Sequence, residues 1–233
     1  MTRLDGNALL KIDARPHPVQ WRSSETALVV VDMQNGFLKP GGYFDMVGYD
    51  LTHAPKTIAM VKSAVDAARK AGFFVVFLQS GFDKRHLVVG GPTAPAWHKS
   101  EAQILMRERP ELAYKLITDG TWDYEIVDEL KPASECLVVK KSRYSGFSGT
   151  NLDQVLRARR ICNLVFCGVA ANLCVETTLR EAYSHEYFAL LLEDATRQAG
   201  PPYLMDATIW NVERFFGWVA TTAAFVQAIK LQF

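Results

Sequence analysis

Short apolar segments alternate with amphipathic helical patterns along most of this chain, and that alternation limits the folds open to it. Segments that are apolar on both faces occupy residues 27–31, 73–78, 136–141, 163–168 and 188–194. Helical periodicity covers residues 56–72, 150–160 and 172–185 between them. Buried strands separated by helices indicate a parallel sheet with both faces covered, because each crossover helix returns over one face. The sequence therefore predicts the α/β class, with three α/β/α layers around a mostly parallel central sheet.

The domain organisation follows from the length and from two changes of pattern. The 233 residues are compatible with a single domain of this class. Residues 1–24 are polar and contain prolines, which predicts an N-terminal arm over the domain or over a neighbouring subunit. Residues 25–233 then form the domain. At about 80–135 the pattern becomes rich in loops, which predicts an insertion that serves as a lid or an oligomer surface.

The charge balance and the cysteines limit the partners and the compartment. With 26 basic and 25 acidic residues, the chain has no net field to attract nucleic acid or an anionic membrane. Its longest apolar runs, such as "FFVVFL" at 73–78, are far too short to span a bilayer. Four cysteines without framework spacing, and no signal-peptide core, indicate a cytoplasmic protein with reduced thiols. We expect a small molecule as the ligand.

Polar or reactive side chains follow three of the predicted strands at the point where each strand ends. Asp32 follows the first strand, Lys140 and Lys141 end the third, and Cys174 comes shortly after the fourth. In open parallel sheets, ligands bind at the carboxyl ends of the strands. An acid, an amine and a thiol would meet there, which indicates nucleophilic chemistry more strongly than any one of them. Alternation along the strand places the two lysines on opposite faces and does not choose between them.

Cys174 is the candidate nucleophile, in the first turn of the third predicted helix. There the helix dipole and free N–H groups are expected to lower the pKa of the thiol and to hold an oxyanion. The alternative is a small apolar filler, and we expect that packing role for Cys136, Cys162 and Cys167. None of the five histidines follows a core strand as Asp32 does, so the expected base is the carboxylate.

A metal site has little support in the sequence. Asp83 and His86 have D-x-x-H spacing and His98 follows them, but no fourth clear ligand accompanies these residues. No glycine-rich phosphate-binding motif follows a strand. The sequence therefore predicts neither a metal nor a cofactor.

Three blocks of sequence around these residues resemble the signature blocks of the isochorismatase-like cysteine hydrolases. They are "ALVVVDMQNGFL", "VVKKSRYSGFSGTNLDQVLRARRI" and "LVFCGVAANLCVETTLREAYSHEYFALLLEDAT", and the resemblance covers nearly the whole chain from about residue 25. Further stretches are similar to the ureidoacrylate amidohydrolases of pyrimidine degradation: "PGGYFDMVGYD", "GGPTAPAWHKS", "GTWDYEIVDEL", "KSRYSGF", "LEDATRQAGP" and "NVERFFGWV". The resemblance implies the isochorismatase-like hydrolase fold and a hydrolase of linear amide C–N bonds.

The resemblance also implies a catalytic triad of Asp32, Lys141 and Cys174, because Lys141 is the lysine directly before "SRYSGF". It implies a cis peptide bond between Val169 and Ala170, with the backbone N–H groups of Ala170 and Cys174 as the oxyanion hole. In the implied mechanism, Asp32 takes the proton of Cys174, the thiolate attacks a ureido or amide carbonyl, and water hydrolyses the thioester-like intermediate. No cofactor is required, and the metal ligands of nicotinamidases have no match in "LQSGFDKRH".

Residues around the triad are expected to select the substrate. The alternative role for each of these residues is packing or subunit contact. The candidate substrate contacts are Gln34, Phe37, Ser80, Phe82, Trp97, His98 and Tyr144. The resemblance favours ureidoacrylate, with biuret, triuret and an N-carbamoyl amino acid as alternatives. Isochorismatases, which hydrolyse a vinyl ether, lack the cysteine, and the intact set of three residues argues against a non-catalytic α/β module. The family and the aromatic "FFGWV" segment suggest a homo-oligomer, either a dimer or a tetramer.

Overall fold

The computed structural model describes residues 8–232, and a six-stranded sheet forms the centre of that part of the chain. The strands are Leu9–Ile12 (β1), Val19–Arg22 (β2), Thr26–Val31 (β3), Phe74–Ser80 (β4), Leu137–Lys141 (β5), Asn163–Val169 (β6), Phe188–Arg197 (β7) and Trp218–Ala220 (β8). The α-helices are Asn35–Leu38 (α1), Tyr43–Met46 (α2), Ala54–Ala71 (α3), Pro95–Lys99 (α4), Glu101–Glu108 (α5), Leu152–Ala158 (α6), Glu176–Ser184 (α7), Tyr203–Asn211 (α8) and Thr222–Lys230 (α9).

The central sheet has the strand order β5–β4–β3–β6–β7–β8, and each neighbouring pair in it runs parallel. This arrangement, with helices around the sheet, confirms the predicted α/β class. The edge strand β8 was not predicted, because three residues are too few to carry a recognisable alternation. β1 and β2 form a separate antiparallel pair.

The middle strands β3 and β6 are buried along their whole length. Leu28 and Val30 of β3 face the core formed with α3 and α9, whereas Val29 and Val31 face the core formed with α6 and α7. Both faces of the sheet are therefore covered. Polar side chains can reach a cavity only at the ends of these strands, which is where the candidate residues lie.

The predicted helices are present, with changes at their ends. α3 begins at Ala54 and stops at Gly72, whose φ of 78° and backbone N–H bonds to Ala68 and Arg69 give a left-handed C-terminal cap. The helix predicted over 172–185 is divided, because Ala171–Val175 forms a π-helical turn before α7 begins. No helix within residues 8–232 is long and apolar enough to cross a membrane.

The N-terminal segment, as far as it is described, folds back as the β1–β2 hairpin. Leu10 and Ile12 are fully buried in the core that includes α9, and the backbone of Arg15 bonds in both directions with Val219 of β8. Residues 1–7 of the predicted arm lie outside the described residues. Apolar burial of β1 and backbone hydrogen bonds at Arg15 thus hold the N-terminal segment on the domain.

Candidate active site

The carboxyl ends of β3, β5 and β6 bring Asp32, Lys141 and Cys174 to one edge of the sheet. Asp32 directly follows β3, which lies between β4 and β6. Lys141 is the last residue of β5 and is paired in register with Ser80 at the end of β4. Cys174 lies in the π-helical turn that follows β6. The side chain of Lys141 therefore crosses the end of β4 to reach Asp32.

Asp32 and Lys141 form a fully buried ion pair. The distance from Lys141 Nζ to Asp32 Oδ2 is 2.8 Å, and the two side chains are 0% and 1% exposed. Lys141 Nζ also donates a hydrogen bond to the carbonyl oxygen of Arg143, at 3.1 Å. Lys141, the Cys174 thiol and the backbone N–H of Ser80 all lie close enough to the Asp32 carboxylate to lower its pKa through hydrogen bonds.

Burial distinguishes the two lysines that strand alternation could not separate. Lys140 is exposed on the opposite face of β5 and pairs with Asp119 at 3.1 Å, while Lys141 is enclosed beside Asp32. Asp32 itself has a φ of 49°. A left-handed conformation is unfavourable for a non-glycine residue and persists where the surroundings hold it.

The charges of this pair oppose the effect of its burial. Burial raises the pKa of Asp32, and the Lys141 ammonium acts against that rise. For Lys141, burial lowers the pKa, but the neighbouring Asp32 carboxylate outweighs this effect, with a smaller contribution from Cys174, and the net change in pKa is upward. The ammonium is thereby kept protonated and favours the ionised form of Asp32. A buried carboxylate held in this way is a stronger base than an exposed aspartate.

The expectation that the helix start lowers the pKa of Cys174 is wrong for this site. Burial and, after it, the neighbouring Asp32 carboxylate raise the pKa of Cys174 to about 12, and Lys141 offsets only part of the rise. Desolvation of a thiolate next to a like charge outweighs the dipole of a short helical turn. The unliganded site therefore holds a thiol, and its proton has to be removed when a substrate is attacked.

The turn before Cys174 has a cis peptide bond between Val169 and Ala170. The carbonyl oxygen of Ala170 accepts hydrogen bonds from the N–H groups of Leu173 and Val175, at 3.0 and 3.1 Å. The N–H of Ala170 has no hydrogen-bond partner within residues 8–232. This donor is available to a ligand atom beside the thiol.

Asn172 fixes the same turn to the segment after β7. Its Nδ2 donates to the carbonyl oxygen of Ala199 at 3.1 Å, and its Oδ1 accepts the N–H of Ala199 at 2.9 Å. Its place at the start of the helical pattern favours an N-cap role for Asn172, but its amide bonds to the backbone of Ala199 instead, a distant partner that no local pattern predicts.

A cavity of about 270 Å³ opens over the thiol. Cys174, Asp32 and Ala170 lie in its wall, as do three of the predicted substrate contacts, Phe37, Ser80 and Tyr144. The size suits a small ligand with few atoms. Of these wall residues, Phe37 is buried and Tyr144 is half exposed.

The structure places the other four predicted contacts outside the wall of this cavity, each with a different partner. The amide of Gln34 bonds to the backbone N–H and carbonyl of Ser80 at 2.8 and 2.9 Å, which holds the end of β4. Phe82 is buried, and its ring contacts that of His86. The Trp97 ring lies 4.1 Å from the guanidinium of Arg107. A ring nitrogen of His98 lies 2.7 Å from the carbonyl oxygen of Pro92.

Several wall residues were missed from the sequence, and they come mainly from short helices and the loops between them. They are Tyr43, Phe44, Tyr49, Lys99, Ser100, Glu101, Ile117 and Leu173. Tyr43 and Tyr49 stand in "PGGYFDMVGYD", and Lys99 directly follows the two insertion residues that were singled out. The matched motifs therefore marked the right stretches, although they did not show which side chain turns towards the thiol.

Asp123 joins two of these segments from behind the wall. Its carboxylate accepts the N–H of Tyr43 at 3.0 Å and the N–H of Ile117 at 2.6 Å, and burial raises its pKa. Both donors belong to residues that line the cavity. Asp123 is a positioning residue, which the sequence pattern did not reveal.

The residues of the doubtful metal motif are engaged separately. The carboxylate of Asp83 accepts the N–H groups of Arg85 and Val88, and a ring nitrogen of His86 lies 2.9 Å from Thr118 Oγ1. In the described part of the chain, no three histidine, cysteine or acidic side chains come together as a metal site.

The fold and the site together define a three-layer α/β protein with a buried cysteine at the carboxyl edge of its sheet. A family profile described as "Isochorismatase domain" matches residues 26–224. The chain belongs to the isochorismatase family.

Relatives within the family share about half of this sequence. The ureidoacrylate amidohydrolase RutB of Agrobacterium fabrum is 53% identical over 221 residues, which are 95% of this chain and 97% of that protein. The protein of the same name from Rhizobium rhizogenes is 53% identical over 219 residues, 94% of this chain and 89% of its own.

Solved structures share the fold at lower identity. A cysteine hydrolase from Pseudomonas syringae pv. phaseolicola has a TM-score of 0.75 and 25% identity, covering 98% of this chain and 100% of its own. An N-carbamoylsarcosine amidase from Thermoplasma acidophilum has a TM-score of 0.65 and 27% identity, covering 85% of this chain and 96% of its own.

Proposed function

We propose that this protein is a cysteine-dependent amidohydrolase that cleaves a C–N bond of a small ureido compound, with ureidoacrylate as the leading substrate. The observation that carries the proposal is the buried Asp32–Lys141 ion pair beside Cys174, in the wall of one small cavity. The choice of ureidoacrylate is supported by the names of relatives that are 53% identical over nearly the whole chain.

The first half of the reaction forms a covalent intermediate. Asp32 takes the proton of Cys174 as the sulfur attacks the ureido carbonyl carbon, and the carbonyl π electrons move to oxygen. The N–H groups of Ala170 and Cys174 hold this oxyanion. The C–N bond then breaks, Asp32 returns the proton to the departing nitrogen, and an S-acyl enzyme remains. The raised pKa of Cys174 makes the transfer to Asp32 part of the attack rather than a preceding equilibrium.

The second half of the reaction releases the acyl group. Asp32 takes a proton from water, the resulting hydroxide attacks the S-acyl carbon, and the C–S bond breaks with the proton returning to sulfur. Lys141 keeps Asp32 ionised between the two halves, because its ammonium opposes the desolvation of the carboxylate. Each proton that Asp32 removes is returned before the next cycle, so no cofactor is consumed.

Ammonia release from a panel of ureido compounds tests this proposal. The native chain should hydrolyse ureidoacrylate with a higher kcat/KM than biuret, triuret or N-carbamoyl amino acids. Cys174→Ala should lose at least about 1,000-fold in kcat, because Cys174 is the only thiol among the described residues that line the cavity. Undiminished turnover by the Ala variant would contradict the mechanism, and a better alternative substrate would overturn the choice of ureidoacrylate while leaving the mechanism intact.

The insertion at about 80–135 is proposed to act as the lid of the active site. It supplies Lys99, Ser100, Glu101 and Ile117 to the cavity wall.

We place the protein in the cytoplasm, a location supported by its four free thiols. Fractionation of cells that express the native chain would test the location.

A homo-oligomer is proposed, with a second copy of this chain covering an exposed aromatic surface. That surface is formed by α7, the start of β7, the end of α8 and the turn after α8, and its most exposed members are Tyr183, Phe188, Trp210 and Phe215. Apolar patches of this kind mark protein contacts. Light scattering should give a mass of two or four chains for the native protein. Phe215→Asp should lower that mass, and a monomeric native protein would refute the proposal.

A further inference from the structure

The cavity that contains Cys174 is lined by two charged residues of the insertion, Lys99 and Glu101. Lys99 is the last residue of α4, and Glu101 is the first residue of α5. The proposed reaction assigns no role to either side chain. Their opposite charges nevertheless stand at the entrance through which a ligand reaches the thiol.

Glu101 is already engaged by two hydroxyl groups. Tyr49 Oη donates to Glu101 Oε2 at 3.0 Å, and Tyr43 Oη lies 3.3 Å from the same oxygen. The side chain of Lys99 makes no ion pair and no hydrogen bond with any of residues 8–232. Glu101 is therefore bonded to the two tyrosines and does not pair with the ammonium of Lys99.

The other cations near the site, Lys141 and Arg197, lie outside the wall of this cavity, and the buried Nε of Arg197 has no hydrogen-bond partner among the described residues. Lys141 is buried, paired with Asp32 and bonded to the carbonyl oxygen of Arg143. Arg197 lines the neighbouring cavity instead, and its Nη2 lies 3.4 Å from Asp50 Oδ2. Among the described residues in the wall around Cys174, Lys99 is the cation that remains open to a ligand.

The backbone that carries Lys99 is anchored on both of its preceding residues. Arg107 stacks on the Trp97 ring and donates to the Trp97 carbonyl oxygen at 2.7 Å. A ring nitrogen of His98 lies 2.7 Å from the carbonyl oxygen of Pro92. The backbone at Lys99 is therefore held in place, and only its flexible side chain has to adjust when a ligand binds. This limits how far the ammonium can move from Cys174.

We propose that Lys99 binds the carboxylate of the substrate and so selects ureido acids over neutral ureides. This inference rests on the proposed function and names the part of the substrate that lies far from the reacting carbonyl. A carboxylate pairs with an ammonium, whereas biuret and triuret offer only neutral groups to it. The ureido end can then meet Cys174 while the acid end is held at the cavity entrance.

The test compares an acid with its neutral amide. The probes are ureidoacrylate and 3-ureidoacrylamide, which differ only in that the carboxylate becomes a carboxamide. In Lys99→Met, kcat/KM for the acid should fall about tenfold or more, which is the size of effect expected for one hydrogen bond to a charged group. For the amide, kcat/KM should change less than about twofold, and Lys99→Arg should recover most of the rate with the acid.

Lys70→Met is the matched control. Lys70 is an exposed lysine near the end of α3, at the opposite edge of the sheet, so this variant removes the same charge without touching the cavity. Its kcat/KM for both probes should equal that of the native chain. The fall of kcat/KM with added salt should also be steeper for the acid in the native chain than in Lys99→Met.

Two outcomes would overturn the assignment of Lys99. One is an equal loss for acid and amide in Lys99→Met, which would indicate a general effect on the lid. The other is an unchanged rate with the acid in Lys99→Met, in particular if Arg197→Gln showed the acid-specific loss. Either result leaves the amidohydrolase proposal standing, whereas a native chain without activity on any ureido compound would refute the proposed function itself.

Discussion

At the scale of single residues, the chemistry depends on the environment of Asp32 and Cys174 more than on their identity. Both groups are buried, and burial raises both pKa values. Lys141 opposes both rises but removes neither. The result is a neutral thiol next to a carboxylate of increased basicity, which is an arrangement for removing a proton on demand rather than for storing a thiolate.

The pH dependence of kcat/KM should report the raised pKa of Asp32. The active form is the carboxylate, so activity is present above this pKa and is lost as the pH falls through it. Because burial raises the pKa, the acid limb should lie above the ordinary value of 3.8. Lys141→Met should move the limb further up, since it removes the opposing charge, and Lys140→Met should not move it. A limb at the ordinary value would contradict this account.

The reactivity of Cys174 towards iodoacetamide provides a second prediction. With a pKa of about 12, the thiol should be alkylated slowly at neutral pH, and the rate should rise about tenfold per pH unit as the thiolate fraction grows. Mass spectrometry of the modified peptide measures the rate, and Cys174→Ser shows which signal belongs to this residue. Fast alkylation that does not change between pH 6 and 8 would indicate a stored thiolate.

At the scale of elements, the site depends on how closely β3 and β6 approach each other before the turn at Ala170. Gly168 of β6 lies beside Val31 of β3 and has a φ of +115°. A Cβ at this position would lie 2.1 Å from the carbonyl oxygen of Val31. Glycine is therefore required here both by conformation and by space.

Gly168→Ala should cost about 3 kcal/mol or more in the free energy of unfolding, because it combines a strained backbone with a backbone clash. Urea denaturation measures the cost, and any folded fraction should have lost activity, since the adjacent turn carries the oxyanion donors. Gly149→Ala is the matched control, with a φ of +73° but no atom within 4 Å of the added Cβ. Its cost should be about 1 to 2 kcal/mol, and equal costs would contradict the role of the close approach.

At the scale of the whole molecule, the N-terminal hairpin is joined to the domain by two kinds of interaction. Ile12 is fully buried against the core that includes α9. Arg15 pairs with Glu193 at 2.8 Å and with Glu213 at 3.0 Å, but its side chain is 47% exposed. Exposed ion pairs contribute little in water, whereas a cavity in the core is expensive.

Ile12→Ala should therefore reduce the free energy of unfolding by about 2 to 5 kcal/mol. Arg15→Ala should reduce it by less than about 1 kcal/mol. Urea denaturation of the two variants measures both effects, and added salt should weaken only the contribution of Arg15. A larger loss for Arg15→Ala than for Ile12→Ala would show that the charges, and not burial, hold the hairpin.

The sequence by itself determined the α/β class, the positions of the inner strands and the three residues at the strand ends. These follow from local pattern: β3 and β6 are apolar throughout, and Asp32 directly follows β3 in the chain. The motif "SRYSGF" also singled out Lys141 where alternation could not. Such features are readable because buried strands and their ends impose composition on a few consecutive residues.

Tertiary structure decided the properties that depend on residues distant in the chain. The pKa of Cys174 rises because the thiol is buried and, after that, because Asp32, more than 100 positions away in the chain, lies beside it. Tyr43, Tyr49 and Glu101 meet in the cavity wall although they belong to separate segments. Short helices and loops carry too little periodicity to show which way a side chain points. Desolvation and charge coupling are set by packing in three dimensions, and no local pattern encodes them.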